Sequence, residues 1–251
     1  MDNYIKLENY NNFFIPKIFN GDSYLNIKES IKEVIRQFEF LFGSDIINQK
    51  QCYINIDKSA NCPQIVSKQS KATITLVINS TMEIDKFIYQ LSHELCHHVL
   101  YITSNGKNPL NWFEEILCEA MSIYILDVLS ENWYNTSLEN YSLIKIFLND
   151  YLSRELPYVS NYELESCTSL NKLKYFNEIY FDIRAHKNTR IVESNIVYEL
   201  FKRYPENINL ICSYQQYNIN NTFIDFRSWL NNNNKNHFLS KLEKIQPCLD
   251  L

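Results

Sequence analysis

Only three glycines occur in 251 residues. Few positions can then take left-handed backbone without strain, so tight turns must fall on asparagine and aspartate, which are abundant. Histidine is scarce as well, with five copies, so any grouping of histidines carries information. No apolar run approaches the roughly 20 residues of a membrane-spanning helix; Phe13-Phe14-Ile15-Pro16 is far too short. The N-terminus, Met1-Asp2-Asn3-Tyr4-Ile5-Lys6, carries acid and has no apolar segment of signal-peptide length. An excess of basic residues is also missing. The net charge is −5, which argues against a nucleic-acid partner, because phosphate neutralisation needs a positive surface. The cysteines, Cys52, Cys62, Cys96, Cys118, Cys167, Cys212 and Cys248, are odd in number and form no C-x-x-C pair. Reduced thiols and a cytoplasmic location are the expectation, with no membrane partner.

What is present is a folding composition, 45% hydrophobic and 14% aromatic, enough for one large domain or two small ones. Within it, His93-Glu94-Leu95-Cys96-His97 forms an H-E-x-x-H motif. On a helix, positions i and i+4 share a face, so His93 and His97 can bind one metal ion together. Glu94 stands where a general base for an attacking water is needed. Ser80 and Glu83 form an S-x-x-E capping box that predicts the helix start. Ile84, Ile88, Leu91, Leu95 and Val99 recur at helical spacing, and the two histidines fall roughly opposite that stripe. His98 points away from the ligand face toward the stripe and is read as a packed residue. Cys96 and Cys118 are read as buried free thiols.

A catalytic zinc site commonly has three protein ligands, His₂Glu being one standard set. Residues 112–129 predict a second helix, with Asn111 and Glu114, or Asn108 ahead of Pro109, as its capping residues. Glu115 and Glu119 lie one turn apart on one face of it. Glu115 is taken as the third ligand, with Glu119 as the competing candidate; with Glu115 ligating, Glu119 would hold a ligating imidazole in its tautomer. Glu114 reads as an N-terminal capping carboxylate.

An H-E-x-x-H helix followed by a glutamate helix resembles the gluzincin metallopeptidases, in which a carboxylate four residues beyond the ligand often supports the site. That spacing matches Glu115 and Glu119. Ile74-Thr75-Leu76-Val77-Ile78-Asn79, then the histidine motif, then Glu115-Ile116-Leu117-Cys118-Glu119-Ala120-Met121-Ser122 is similar to the small ImmA/IrrE-type metallopeptidases. Their pattern is a strand ending near Asn, H-E-L-x-H, and E-x-x-A-N-x-F-A. Here Cys96 stands where Gly is common, Cys118 replaces a small residue, Glu119 the Asn and Met121 the Phe. The resemblance implies a Zn²⁺ cofactor and hydrolysis of peptide bonds in a protein or peptide substrate, with Glu94 as general base and then acid. It also implies an edge strand, residues 72–79, that binds extended substrate by strand addition. The alternatives are a regulatory protease for one specific partner and a catalytically vestigial zincin-fold interaction protein. Residue type alone nominates His98, Tyr101, Arg184 and His186 to stabilise an oxyanion.

The expected fold class is α+β. A zincin-like half, residues 1–135, would hold a small sheet, the H-E-x-x-H helix and the glutamate helix, and residues 136–251 would form a mainly helical subdomain. In the first half, residues 1–20 read as an irregular arm with a short strand. Ile27, Ile31, Val34, Ile35, Phe38 and Leu41 predict a helix stopped near Gly43, and residues 52–56 and 72–79 alternate as strands. In the second half, apolar rows predict helices over residues 143–152, 170–183, 196–201, 223–230 and 238–245, with the Asn231–Asn234 tract as a loop.

Overall fold

The computed structural model describes residues 3–68, 70–104, 109–132, 145–147, 149–150 and 183–246, with only backbone described for 183–192. The architecture is α+β with a small mixed sheet. The chain divides into two compact units, Met1–Ile102 with Met121–Asn149, and Thr103–Ala120 with Asp150–Leu251. The expected boundary at residue 135 lies outside the described residues, as do the helix over 170–182 and most of the helix over 143–152, of which 145–147 and 149–150 are helical.

The first unit holds a five-stranded sheet, in the order β1 (Tyr4–Lys6), β2 (Phe13–Pro16), β3 (Gln51–Ile56), β5 (Lys71–Leu76), β4 (Gln64–Ser67). β2, β3 and β5 run parallel, and β1 and β4 are antiparallel edges. Cys52, Ile54, Ala72, Ile74 and Leu76 are buried on one face, as their alternation predicts. The other face carries Tyr53, stacked on Phe14 at 4.8 Å and met edge-on by Tyr4 at 5.3 Å.

Helix α1 (Leu25–Phe42) buries the predicted row Ile27, Ile31, Val34, Ile35, Phe38 and Leu41. Each such side chain contributes roughly 1.5–3 kcal/mol. α1 stops at Gly43, whose φ of 89° suits a residue with no Cβ and whose N–H closes on Glu39 O at 2.9 Å. A short α2 (Ser44–Ile47) leads into β3.

Two expectations about the sheet need correction. The N-terminal arm holds two strands, not one. The strand at residues 71–76 is central, flanked by β3 and β4, so residues 72–79 are not an edge. The edge on that side is β4, which sequence reading missed. None of its side chains is buried, so it leaves no alternation of apolar and polar residues to detect.

In the second unit, α5 (Ile183–Arg203) contains the expected helix over 196–201, begins well before it and ends ahead of Pro205. A 3₁₀ stretch, Pro205–Tyr217, follows, then a hairpin of β6 (Asn218–Ile219) and β7 (Phe223–Ile224). Asn220 and Asn221 turn that hairpin with φ of 52° and 53°, the left-handed pair of a type I′ turn. Asparagine thus does the work glycine does elsewhere, and Asn9 and Asn234 also take positive φ. Two short helices close the unit, α6 (Phe226–Asn232) and α7 (His237–Leu242). The asparagine tract is therefore helical through Asn232 and turns only after it. Phe113, Tyr214, Phe226, Trp229, Phe201 and Phe238 build the aromatic core.

Candidate metal centre

The motif lies on α3 (Ile84–Thr103). The predicted apolar row, Ile84, Ile88, Leu91, Leu95 and Val99, is buried, while His93 and His97 are half-buried. Their rings face one another with centroids 5.0 Å apart and planes at 65°. The helix begins later than the capping box suggests. Residues 80–83 form a separate turn, with Glu83 N–H donating to Ser80 O at 3.2 Å, and the first helical bond runs from Phe87 N–H to Glu83 O at 2.9 Å. Ser80 Oγ accepts from Met82 N–H at 3.2 Å, and the Glu83 carboxylate reaches back to Asn79 N–H at 3.0 Å. That backbone bond, with Lys86 adding to it, holds the Glu83 carboxyl below its ordinary value. The reciprocal caps exist, each one residue away from the box register.

One turn before the motif, Gln90 performs a task that sequence reading did not assign. Its Nε2 donates to Val77 O at 3.0 Å, and its Oε1 accepts from Val77 N–H at 2.8 Å. β5 ends at Leu76, so the side-chain amide continues the ladder by one residue and ties the strand end to the helix that carries the two histidines. Gln246 pairs the same way with Ile224, just at the end of β7, at 2.7 and 3.0 Å. A buried amide on the histidine face was the available signal.

Helix α4 (Asn111–Asn132) carries the glutamates. Leu110 O accepts from Phe113 N–H at 3.0 Å and from Glu114 N–H at 2.9 Å, so Leu110 occupies the cap position expected for Asn111. Asn108 lies outside the described residues. Glu114 is buried, and its Oε1 accepts from the Tyr214 hydroxyl and from Gln215 Nε2 at 3.1 Å. It is held by side chains of the 3₁₀ stretch, a role its place in the first helical turn does not announce. Burial, followed by the charge of Glu114, pushes the Tyr214 hydroxyl well above its ordinary value, so it stays a donor.

The structure brings His93, His97 and Glu115 together, with one ligand atom from each lying within 4.8 Å of the others. Zinc at about 2.0–2.1 Å from tetrahedral donors sets them about 3.4 Å apart, so small side-chain adjustments would close the set. Two imidazoles and one carboxylate also suit zinc chemically. Glu94 is buried beside His93. Glu119 is buried one turn beyond Glu115 and does not belong to the three-residue group.

Cys96 is a buried free cysteine, as expected, Cys118 is buried as well, and both stand outside the group. His98 is buried with no hydrogen-bond partner on either ring nitrogen among the described residues. Burial, with Lys50 adding to it, pushes its imidazole down to about 4. It is a packed residue and is removed from the oxyanion candidates. Lys50 sits over the Tyr101 ring, 4.4 Å from its centroid. The side chains of Arg184 and His186 lie outside the described residues. No described helix is long and apolar enough to cross a membrane. No protein-family model, curated protein or solved structure matches the chain.

Proposed function

We propose that the protein is a zinc-dependent peptidase of the gluzincin kind, with a zincin-like first half. The observation that carries this reading is the convergence of His93, His97 and Glu115, residues from two different helices, on one small volume. A lone H-E-x-x-H motif could be a solvated helix face, but a third donor of the right chemistry at the right place is not implied by the motif itself. Zinc held there would act as a Lewis acid on a carbonyl and lower the pKa of a water toward neutrality.

The chain's own groups then supply the rest. Glu94 follows His93 directly and takes the proton from the attacking water on its carboxylate, then returns it to the leaving amine nitrogen. Its burial keeps bulk water from competing for that proton. Glu119 supports a ligating imidazole from the next turn of α4. An extended peptide would add to the outer side of β4, the sheet edge beside β5, in the same unit as α3. The free cysteines Cys52, Cys62 and Cys96 favour a reducing, cytoplasmic setting. The test is cleavage of a peptide library by zinc-loaded native protein and by Glu94→Gln. Cleavage by the native protein alone supports the mechanism, and equal cleavage by both refutes it.

A further inference from the structure

Within the second unit, side chains of the 3₁₀ stretch and the β6–β7 hairpin meet the first turn of the glutamate helix. Trp112 is buried and its Nε1 donates to Thr222 O at 3.2 Å, in the hairpin turned by Asn220 and Asn221. Phe113 packs against Tyr214 at 5.3 Å and Phe226 at 6.3 Å. Glu114 accepts from Tyr214 and Gln215. The Tyr214 hydroxyl also accepts from Leu110 N–H at 3.3 Å and from Gln215 Nε2 at 3.0 Å. Its single proton and both acceptor sites are therefore used. Two of the three partners, Leu110 and Glu114, flank the first turn of α4, and the residue after Glu114 is Glu115.

A buried hydroxyl with a full complement of bonds has one comfortable orientation. Rotation of α4 about its axis, or a slide along it, breaks bonds to both its backbone and its side chain at once. The turn holds Glu115 by main-chain continuity, so the same bonds set the direction of the third ligand. The first turn of a helix is otherwise the place where it frays, because its N–H groups lack intrahelical partners.

We infer that Tyr214, with Gln215, is a positioning residue for the metal site: it clamps the first turn of the glutamate helix through Leu110 and Glu114 and so fixes where Glu115 presents its carboxylate. This rests on the reading that zinc binds His93, His97 and Glu115. It gives the C-terminal half a specific task, supplying the support that a site needs if its ligands are to be held in place.

The test is zinc affinity of the full chain, measured by competition with a chromophoric chelator well below the unfolding temperature. There, a loss of global stability alone leaves the affinity of the folded protein unchanged. Tyr214→Phe is expected to weaken zinc binding about tenfold or more, the scale seen when support of a metal ligand is removed. Glu114→Gln keeps an acceptor for both donors and is expected to stay within about threefold of native. Ser213→Ala is the control on the same 3₁₀ stretch. Its hydroxyl accepts from Trp229 Nε1 at 3.0 Å and takes no part in the clamp, so affinity should hold within about twofold. If Tyr214→Phe does not fold, Gln215→Leu replaces it. That variant removes the donor to Glu114 and Tyr214 and also an Oε1 that has no hydrogen-bond partner among the described residues. Native affinity in the folded Tyr214→Phe, or in Gln215→Leu where that is the one that folds, overturns the inference and leaves the zinc reading standing. A native protein that takes up no zinc overturns both.

Discussion

Gln90→Leu isolates the tie between the sheet and the helix that carries the two histidines. The substitution keeps side-chain size and removes both hydrogen bonds to Val77, at 2.8 and 3.0 Å. Val77 N–H and C=O then lose their partner at the point where β5 has run out of strand neighbours. A backbone group left unsatisfied in a fully buried setting costs about 1–3 kcal/mol. Val77 is half-buried, so water can reach it in part, and the low end applies to each group. Leucine in the buried Gln90 site recovers some apolar transfer free energy. The two groups together cost about 2 kcal/mol, and after that recovery the net is about 1–1.5 kcal/mol, or roughly 2–6 °C in melting temperature for a chain of this size. Urea denaturation in the presence of a chelator measures it without the contribution of bound metal. Amide exchange at Val77 should also speed up. A change below about 0.5 kcal/mol, the size of an ordinary surface substitution, together with native exchange at Val77, would refute the claim that this amide anchors the strand end.

Further outcomes follow from single groups. Glu94→Gln should retain zinc while peptide cleavage falls about 10²–10⁴-fold, the span of general acid–base catalysis; elemental analysis and a peptide-library assay read the two halves separately. His98→Leu should be neutral or stabilising in a thermal melt, because it removes a buried imidazole with no hydrogen-bond partner among the described residues; a marked loss of stability would show that the ring has one. Asp225 caps α6, accepting from Ser228 Oγ at 2.6 Å and Ser228 N–H at 3.0 Å, and these bonds hold its carboxyl below the ordinary value of 3.8. Its folded pKa is depressed, so its contribution is present above the unfolded value and is lost as pH falls through the folded one. Asp225→Ala should therefore cost about 1 kcal/mol at neutral pH, and the gap to native should close in denaturation curves taken below that range.

The helix that carries His93 and His97 could be read from sequence because its information is local. Two histidines four residues apart and five aliphatics on the opposite side state a face and a core within one helix. Glu115 was readable for the same reason, as one of two carboxylates a turn apart. The capping residues were readable in kind but not in register, because Ser80 and Glu83 close a turn before the helix rather than its first turn. β4 was not readable: as an edge it buries nothing, so its side chains carry no period, and without it the central strand passes for the edge. Tyr214 and Gln215 were out of reach for a different reason. They meet Glu114 across 100 and 101 positions of sequence, and Glu114 had a sufficient local explanation at the helix start. Local patterns report what a residue does within its own element, and the two long-range ties, at Gln90 and Tyr214, are made by polar side chains whose partners lie elsewhere.

The central claim is that His93, His97 and Glu115 form a metal site, and metal stoichiometry tests it most directly. Native protein and His97→Ala are desalted gently, incubated with excess zinc, desalted again and subjected to elemental analysis. About one zinc per native chain and none in the variant is the expected result for a site with three protein ligands. No zinc in either protein would contradict it.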